Sequence, residues 1–316
     1  MARRLVDAAA EAGADLVKFQ TFSAKSLVSA KAAKAEYQNR NENGNPETQQ
    51  SMLQRLELSR EAHYDLLSHC ADRGIGFFST AFDFDSLDFL NHLGLSCFKI
   101  PSGEITNLPY LRRVARFGKE LVLSTGMATL GEIEAALEVI EQTGCPRDRI
   151  TLLHCTTEYP APYEEVNLRA IGTLRKAFGV PVGYSDHTEG IEVSLAAVAL
   201  GATIIEKHFT LDRSMPGPDH AASLQPDELK ALVTGVRRIE SALGSSRKQR
   251  TMSEAKNSTV VRKSIVASRH IKCGEVFSEE NLTVKRPGSG LSPMRWDDVI
   301  GCLAARDFAV DEEIQL

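Results

Sequence analysis

Residues 180–209 read VPVGYSDHTEGIEVSLAAVALGATIIEKHF. Two short apolar runs, VPVGYSD (180–186) and TIIEKHF (203–209), flank a longer helical stretch, and both close on polar residues: Asp186 and His187 after the first, Glu206 and His208 within the second. An apolar run of this length suits a strand buried on both faces, and two of them joined by a helix make a βαβ unit with parallel strands.

Outward from this unit the same alternation recurs. The further runs are ADLVKFQ (14–20), GFFST (76–80), CFKIPS (97–102), LVLSTG (121–126) and ITLLHC (150–155). Parallel strands covered by helices form either a closed barrel or a doubly wound open sheet. The polar residues at the ends of the runs favour the barrel: Lys18 and Gln20, Ser79 and Thr80, Lys99 and Ser102, Ser124, His154 and Thr156. In a barrel all these carboxyl ends face one mouth, where the active site lies. Seven runs are one short of the eight strands of such a barrel, and by order the absent strand belongs before a helix over Ala2 to Ala12 that Gly13 stops. The expected architecture is α/β, a TIM (β/α) barrel lacking its first strand over residues 1–244; a seven-stranded or open sheet is the alternative. The last barrel helix is predicted from Pro226 to Leu243.

Residues 245–259 are polar and basic and read as a linker. Beyond them, residues 260–316 give short strands and turn glycines, hence a small β-rich domain whose core is expected from Phe277, Met294 and Trp296. A domain this small has little core of its own and is expected to lean on the barrel or on a second subunit.

Length and composition agree. A chain of 316 residues accommodates one barrel of about 250 residues and a small appendix. A formal charge of −5 offers no bulk attraction to nucleic acid or anionic membrane, so an anionic substrate must be held by a local cluster of cations. The six cysteines contain no C-x-x-C pair and read as reduced thiols of a cytoplasmic protein. Asp7 and Glu11 interrupt the N-terminal stretch, which is no signal h-region, and no run is long and apolar enough for a membrane span.

The candidate chemistry sits at the strand ends. His187 and His208 lie on adjacent strands and could converge on a divalent metal, with Asp186 and Glu206 as neighbouring carboxylates to orient them. Lys18 and Lys99 interrupt apolar strands, which is costly unless each ammonium meets an anion or the mouth; they are candidate ligands for phosphate or carboxylate, and Lys99 is also a candidate Schiff-base lysine. Thr80, Ser102 and Ser124 stand where they could donate to the same oxyanion. Glu104 is either a mouth acid or base or a solvated loop carboxylate. Asp219 in the proline-stiffened loop SMPGPDH and Tyr159 in HCTTEYPAP are further candidates, and Arg286 in the tail is by default an exposed turn residue.

Taken together, VKFQTF (17–22), FFSTAFD (77–83), KIPSGEITNLPYL (99–111), STGMA (124–128), HCTTEYPAP (154–162), YSDHT (184–188), EKHFTLD (206–212), GPDHAASLQPDEL (217–229) and the tail's RKSIVA and VKRPGSG resemble the sialic acid synthase family nearly end to end. The resemblance implies an enzyme that joins phosphoenolpyruvate to N-acetylmannosamine and water, giving N-acetylneuraminate and phosphate; a legionaminate-type synthase and an inactive relative acting as a binding module are the alternatives. It implies His187 and His208 as catalytic ligands of Mn2+ or Mg2+ and Glu104 as a catalytic residue. Lys18, Lys99, Thr80, Ser102 and Ser124 are implied as the phosphoenolpyruvate site, and Tyr159, Glu206 and Asp219 as further substrate contacts. The tail is similar to the antifreeze-like (SAF, β-clip) domain, with Arg286 reaching the sugar in the partner subunit of a swapped homodimer. Two departures stand out: the family's first strand, reading like AEIGxNHNG, is absent, and Thr157 stands where many relatives have Asn.

Overall fold

The computed structural model describes residues 1–29, 31–41 and 48–316. Seven parallel strands form one sheet: β1 (Leu16–Thr21), β2 (Gly76–Ala81), β3 (Cys97–Ile100), β4 (Glu120–Ser124), β5 (Ile150–Cys155), β6 (Val182–Asp186) and β7 (Ile205–Lys207). They are paired in simple sequence order, β1 to β7. A doubly wound sheet reverses its order at a switch point, whereas a barrel runs round in one direction, so this order makes the sheet a curled part-barrel. β1 and β7 are its two edges and do not pair with each other, which leaves the gap where the eighth strand was expected.

The helices cover the outer face. The helix Arg60–Arg73 starts because the Ser59 hydroxyl accepts the amide of Ala62, and it ends at Gly74, whose φ of 68° is the left-handed turn that glycine adopts without a Cβ penalty. The helix Leu130–Gln142 opens on a reciprocal capping box between Thr129 and Glu132. The main core lies between strands and helices and includes Phe98, Leu121, Leu123, Ile133, Leu137, Leu152 and Val182. A second cluster joins Val6 and Ala9 to Leu66, Cys70, Leu229 and Leu232, so the helix Ala2–Ala12 is wedged between Arg60–Arg73 and Pro226–Leu243. The helical layer is therefore continuous across the two edge strands.

The chain divides into two compact units, Met1–Gly244 and Ser245–Leu316. In the second, β8 (Ser264–Ala267) and β9 (Leu282–Lys285) pair antiparallel around Ile265, Ile271, Phe277, Leu282, Phe308 and Ile314. Two expectations change here. The stretch read as linker is not extended chain throughout: its residues 252–259, with the next two residues, form the helix Met252–Val261, started by a capping box between Thr251 and Glu254. Met294 is 92% exposed on a short turn of helix and takes no part in the tail's core; Phe308 packs on Phe277 instead, with ring centroids 5.7 Å apart. The six cysteines are free thiols, and no helix among the described residues is long and apolar enough to cross a membrane.

Candidate active site

Strand alternation decides which side chains reach the mouth, because neighbours along a strand point to opposite faces. On β7 and its extension, Glu206 and His208 share the inner face, while Lys207 turns outward and pairs with Asp186 at 3.0 Å. On β6, Ser185 and His187 share the inner face, and Asp186 turns outward with Lys207, accepting also from Thr188 and from Ser194 at 2.6 Å. Asp186 is thus committed to fastening the helix Glu192–Ala199 and does not orient His187, contrary to expectation. His154 likewise faces away and donates from Nε2 to the carbonyl of Val166 at 2.6 Å.

Register brings the lysines to one carboxylate. Thr80 on β2 pairs with Lys99 on β3, and Ser185 on β6 with Glu206 on β7. Lys18 Nζ lies 3.0 Å from Glu206 Oε1, and Lys99 Nζ 2.7 Å from Glu206 Oε2. Desolvation alone would push the Glu206 carboxyl up, but the two ammoniums hold it well below the usual carboxylate range. Burial lowers the Lys99 ammonium, against the opposing pull of Glu206. Two cations on one anion leave the cluster with a formal charge of +1, a candidate site for an anion in a chain whose overall charge is −5.

Around it lie hydroxyls. Those of Thr80, Ser124 and Thr157 are buried with no hydrogen-bond partner among the described residues, an arrangement that costs roughly 1–3 kcal/mol per group unless a ligand accepts from them. Ser102 Oγ accepts from the amide of Gly126 at 3.1 Å and lies 3.3 Å from Cys155 Sγ. Gly126 has no room for a side chain, since a Cβ there would stand 2.3 Å from Thr157 Oγ1 and 2.8 Å from Ser102 Oγ. Glu104 sits in the turn Ser102–Glu104, accepts from Asn107 Nδ2 at 2.5 Å, and has its carboxyl raised by burial.

The imidazoles of His187 and His208 meet edge to face at 5.4 Å between centroids. His187 Nδ1 lies 2.6 Å from the carbonyl of Thr156; a carbonyl only accepts, so Nδ1 carries the proton and Nε2 keeps its lone pair, with Ser185 Oγ 3.3 Å away. Burial brings the His187 ring down to about 4 and the His208 ring well below the usual range. Both are therefore neutral near pH 7, the form a metal ligand needs. Among the described residues no cluster of three or more His, Cys, Asp or Glu could hold an ion. If the two imidazoles held a divalent ion, water or substrate oxygens would fill its other positions, and Mn2+, which accepts nitrogen ligands more readily than Mg2+, would suit them better.

Tyr159 lies over both rings, 4.1 Å from His187 and 5.5 Å from His208, and Tyr37 lies 4.9 Å from Tyr159. Asp219 Oδ2 is 3.7 Å from His208 Nδ1. Although that side chain is 37% exposed, the packing around it pushes its carboxyl up to about 6, with Lys18 pulling the other way. A cavity of about 790 Å³ flanks this centre between the ends of β4 and β5 and the helices Leu130–Gln142 and Ala170–Phe178, sharing Cys155, Thr156 and Thr157 with it. Arg286 is in the second unit, exposed and in no ion pair among the described residues. Ser185 and Tyr37 were not singled out from the sequence; Ser185 was findable, two residues before His187 on one strand face, and Tyr37 was not, since no local pattern marks it.

A model of the NeuB family matches residues 5–248, and a SAF domain model matches residues 262–315. The chain is 56% identical to N,N'-diacetyllegionaminic acid synthase of Campylobacter jejuni, over 100% of this chain and 94% of that protein. It is 49% identical to the protein of the same name from Legionella pneumophila, over 95% and 85%. A solved structure of N-acetylneuraminic acid (sialic acid) synthetase from Leptospira borgpetersenii superposes with a TM-score of 0.71 at 35% identity, over 81% of this chain and 84% of that one.

Proposed function

The chain belongs to the NeuB family, and from that premise we propose that it is a legionaminate-type nonulosonate synthase, condensing phosphoenolpyruvate with an aldose that carries two acetamido groups. The observation that carries this reading over the N-acetylneuraminate one expected from the motifs is the identity gradient. Identity is 56% and 49% to proteins named for a diacetylated product, against 35% to one named for a monoacetylated product.

The reaction forms a bond between C3 of phosphoenolpyruvate and the aldehyde carbon, adds water at C2, and releases phosphate by cleavage of the C2–O bond. In this reading Lys18 and Lys99 hold the phosphate, each ammonium keeping donors beyond the one given to Glu206, and the hydroxyls of Thr80, Ser124 and Thr157 complete the oxyanion shell with Ser102. His187 and His208 would hold a divalent ion, Mn2+ before Mg2+, which when bound polarises the aldehyde oxygen as a Lewis acid. Glu104, its carboxyl raised by burial, manages a proton of the attacking water or the sugar hydroxyl. Tyr159 and Asp219 flank the acceptor beside the imidazoles. The tail of a second subunit completes the mouth with Arg286, in a homodimer. Six free thiols suit the reducing cytoplasm.

The test is phosphate release and product mass with phosphoenolpyruvate and either the diacetamido aldose or N-acetylmannosamine. The diacetamido substrate is expected to win by at least about tenfold in kcat/KM, the scale on which one substituent is discriminated. Preference for N-acetylmannosamine would return the assignment to the N-acetylneuraminate reading.

A further inference from the structure

β1 ends at Thr21 and the helix that follows it in the outer layer begins only at Arg60, whereas β2 ends at Ala81 and its helix begins at Phe84. Among its described residues the long excursion carries three short helices, and one of them, Glu36–Asn41, brings Tyr37 to the mouth. Tyr37 and His187 both pack on the ring of Tyr159 in tilted arrangements, at interplanar angles of 34° and 32°, with centroids 4.9 and 4.1 Å away. His208 joins the same ring at 5.5 Å. Three rings from three other parts of the chain thus meet around Tyr159.

We propose that Tyr37 is a positioning residue for the acceptor half of the site, acting through Tyr159, whose ring it holds over the two imidazoles. Tyr159 sits on the loop after β5, and a loop side chain is placed only as well as the groups that pack on it. The interaction of aromatic rings is directional and favours offset or edge geometries, so a second ring on Tyr159 restricts its tilt as well as its distance. Burial, with the charges of Asp219 and Glu158, pushes the Tyr37 phenol up to about 12, so the ring meets Tyr159 uncharged at physiological pH. In the proposed reading phosphoenolpyruvate is held elsewhere, by the lysines and hydroxyls, so that half of the site does not depend on the ring cluster.

The inference rests on the proposed placing of the acceptor beside Tyr159, and its experiment has one readout that does not. Histidine-labelled protein, with Mg2+ as the sole divalent ion, is compared by NMR for wild type, Tyr37→Phe and Tyr37→Leu, and steady-state kinetics then vary each substrate in turn. Tyr37→Leu is expected to move the ring resonances of His187, because Tyr159 shifts above it. It is expected to raise the acceptor KM about two- to tenfold, the scale of one aromatic pair, with the phosphoenolpyruvate KM unmoved. Tyr37→Phe keeps the stack and does neither. Unmoved His187 resonances in the leucine variant would overturn the positioning role, and equal rises in both KM values would reduce it to general stability. If no acceptor is turned over at all, the functional reading falls while the NMR comparison still decides the stack. Should the leucine variant not fold, Tyr37→Met reads the same contrast.

Discussion

At the scale of single residues, Glu206 is the hinge of the site, because one carboxylate neutralises part of the charge of two ammoniums. Glu206→Gln leaves Lys99, whose side chain is only 4% exposed, without its counter-ion. Breaking a buried pair from one side costs about 3 kcal/mol or more. Urea denaturation in phosphate-free buffer is expected to show that loss, and added phosphoenolpyruvate is expected to raise Tm more in the variant than in wild type, since the ligand replaces the missing anion. A variant as stable as wild type would mean that the lysines are solvated rather than paired. Lys18 and Lys99 were legible as cations in apolar strands, and His187 and His208 as imidazoles at strand ends. That both lysines meet on Glu206 was not legible, because it depends on the register of β1, β3 and β7 together. Asp186 was misread for a simpler reason: one step along a strand reverses the face, and proximity in sequence to His187 placed it on the wrong side of the sheet.

Two predictions concern the way elements fit. The turn after β4 brings the backbone of Gly126 against Ser102, Cys155 and Thr157, where no Cβ fits. Gly126→Ala is expected to cost about 1–3 kcal/mol through overpacking and to raise the KM for phosphoenolpyruvate while sparing that for the acceptor, because the displaced hydroxyls belong to the phosphate half in the proposed reading. Kinetics with each substrate varied would check it. Between β1, β2 and the helix Arg60–Arg73, Thr21 Oγ1 bridges His63 Nε2 and Ser79 Oγ, each at 2.7 Å, while His63 Nδ1 meets the carbonyl of Ser59 at 2.8 Å. Burial lowers the His63 pKa from its ordinary value. A base whose pKa is depressed in the folded state contributes stability that is present above its unfolded pKa, near 6.5, and is lost as pH falls below it. Thermal melts from pH 7.5 to 5 are expected to fall less steeply for His63→Gln than for wild type; equal slopes would place the acid sensitivity elsewhere. Helix starts at this scale were partly legible: Thr251 followed by Glu254 is a capping-box signature, and the basic composition of the stretch masked it.

At the scale of the whole molecule, the seven strands and their order follow from apolar runs with polar ends, and the opening between β1 and β7 follows from their number. The tail was legible as small and β-rich but not in its core, since Met294 and Phe308 are equally apolar and only the turn at Pro293–Arg295 puts one of them outside. The same unit carries Arg286 on its exposed surface, with no ion pair among the described residues. A charged donor with no ion pair among the described residues, in a domain too small to bury much surface, has a physical use if it meets a ligand on another subunit. A C2 pair makes such an exchange reciprocal, so that one interface completes two sites. Light scattering is expected to give the mass of a dimer. Arg286→Ala is expected to raise the acceptor KM about ten- to a hundredfold, corresponding to about 1.5–3 kcal/mol for a charged hydrogen bond, with the KM for phosphoenolpyruvate unchanged. A fully active monomer, or an Arg286 variant with an unmoved acceptor KM, would confine the site to the barrel of one chain.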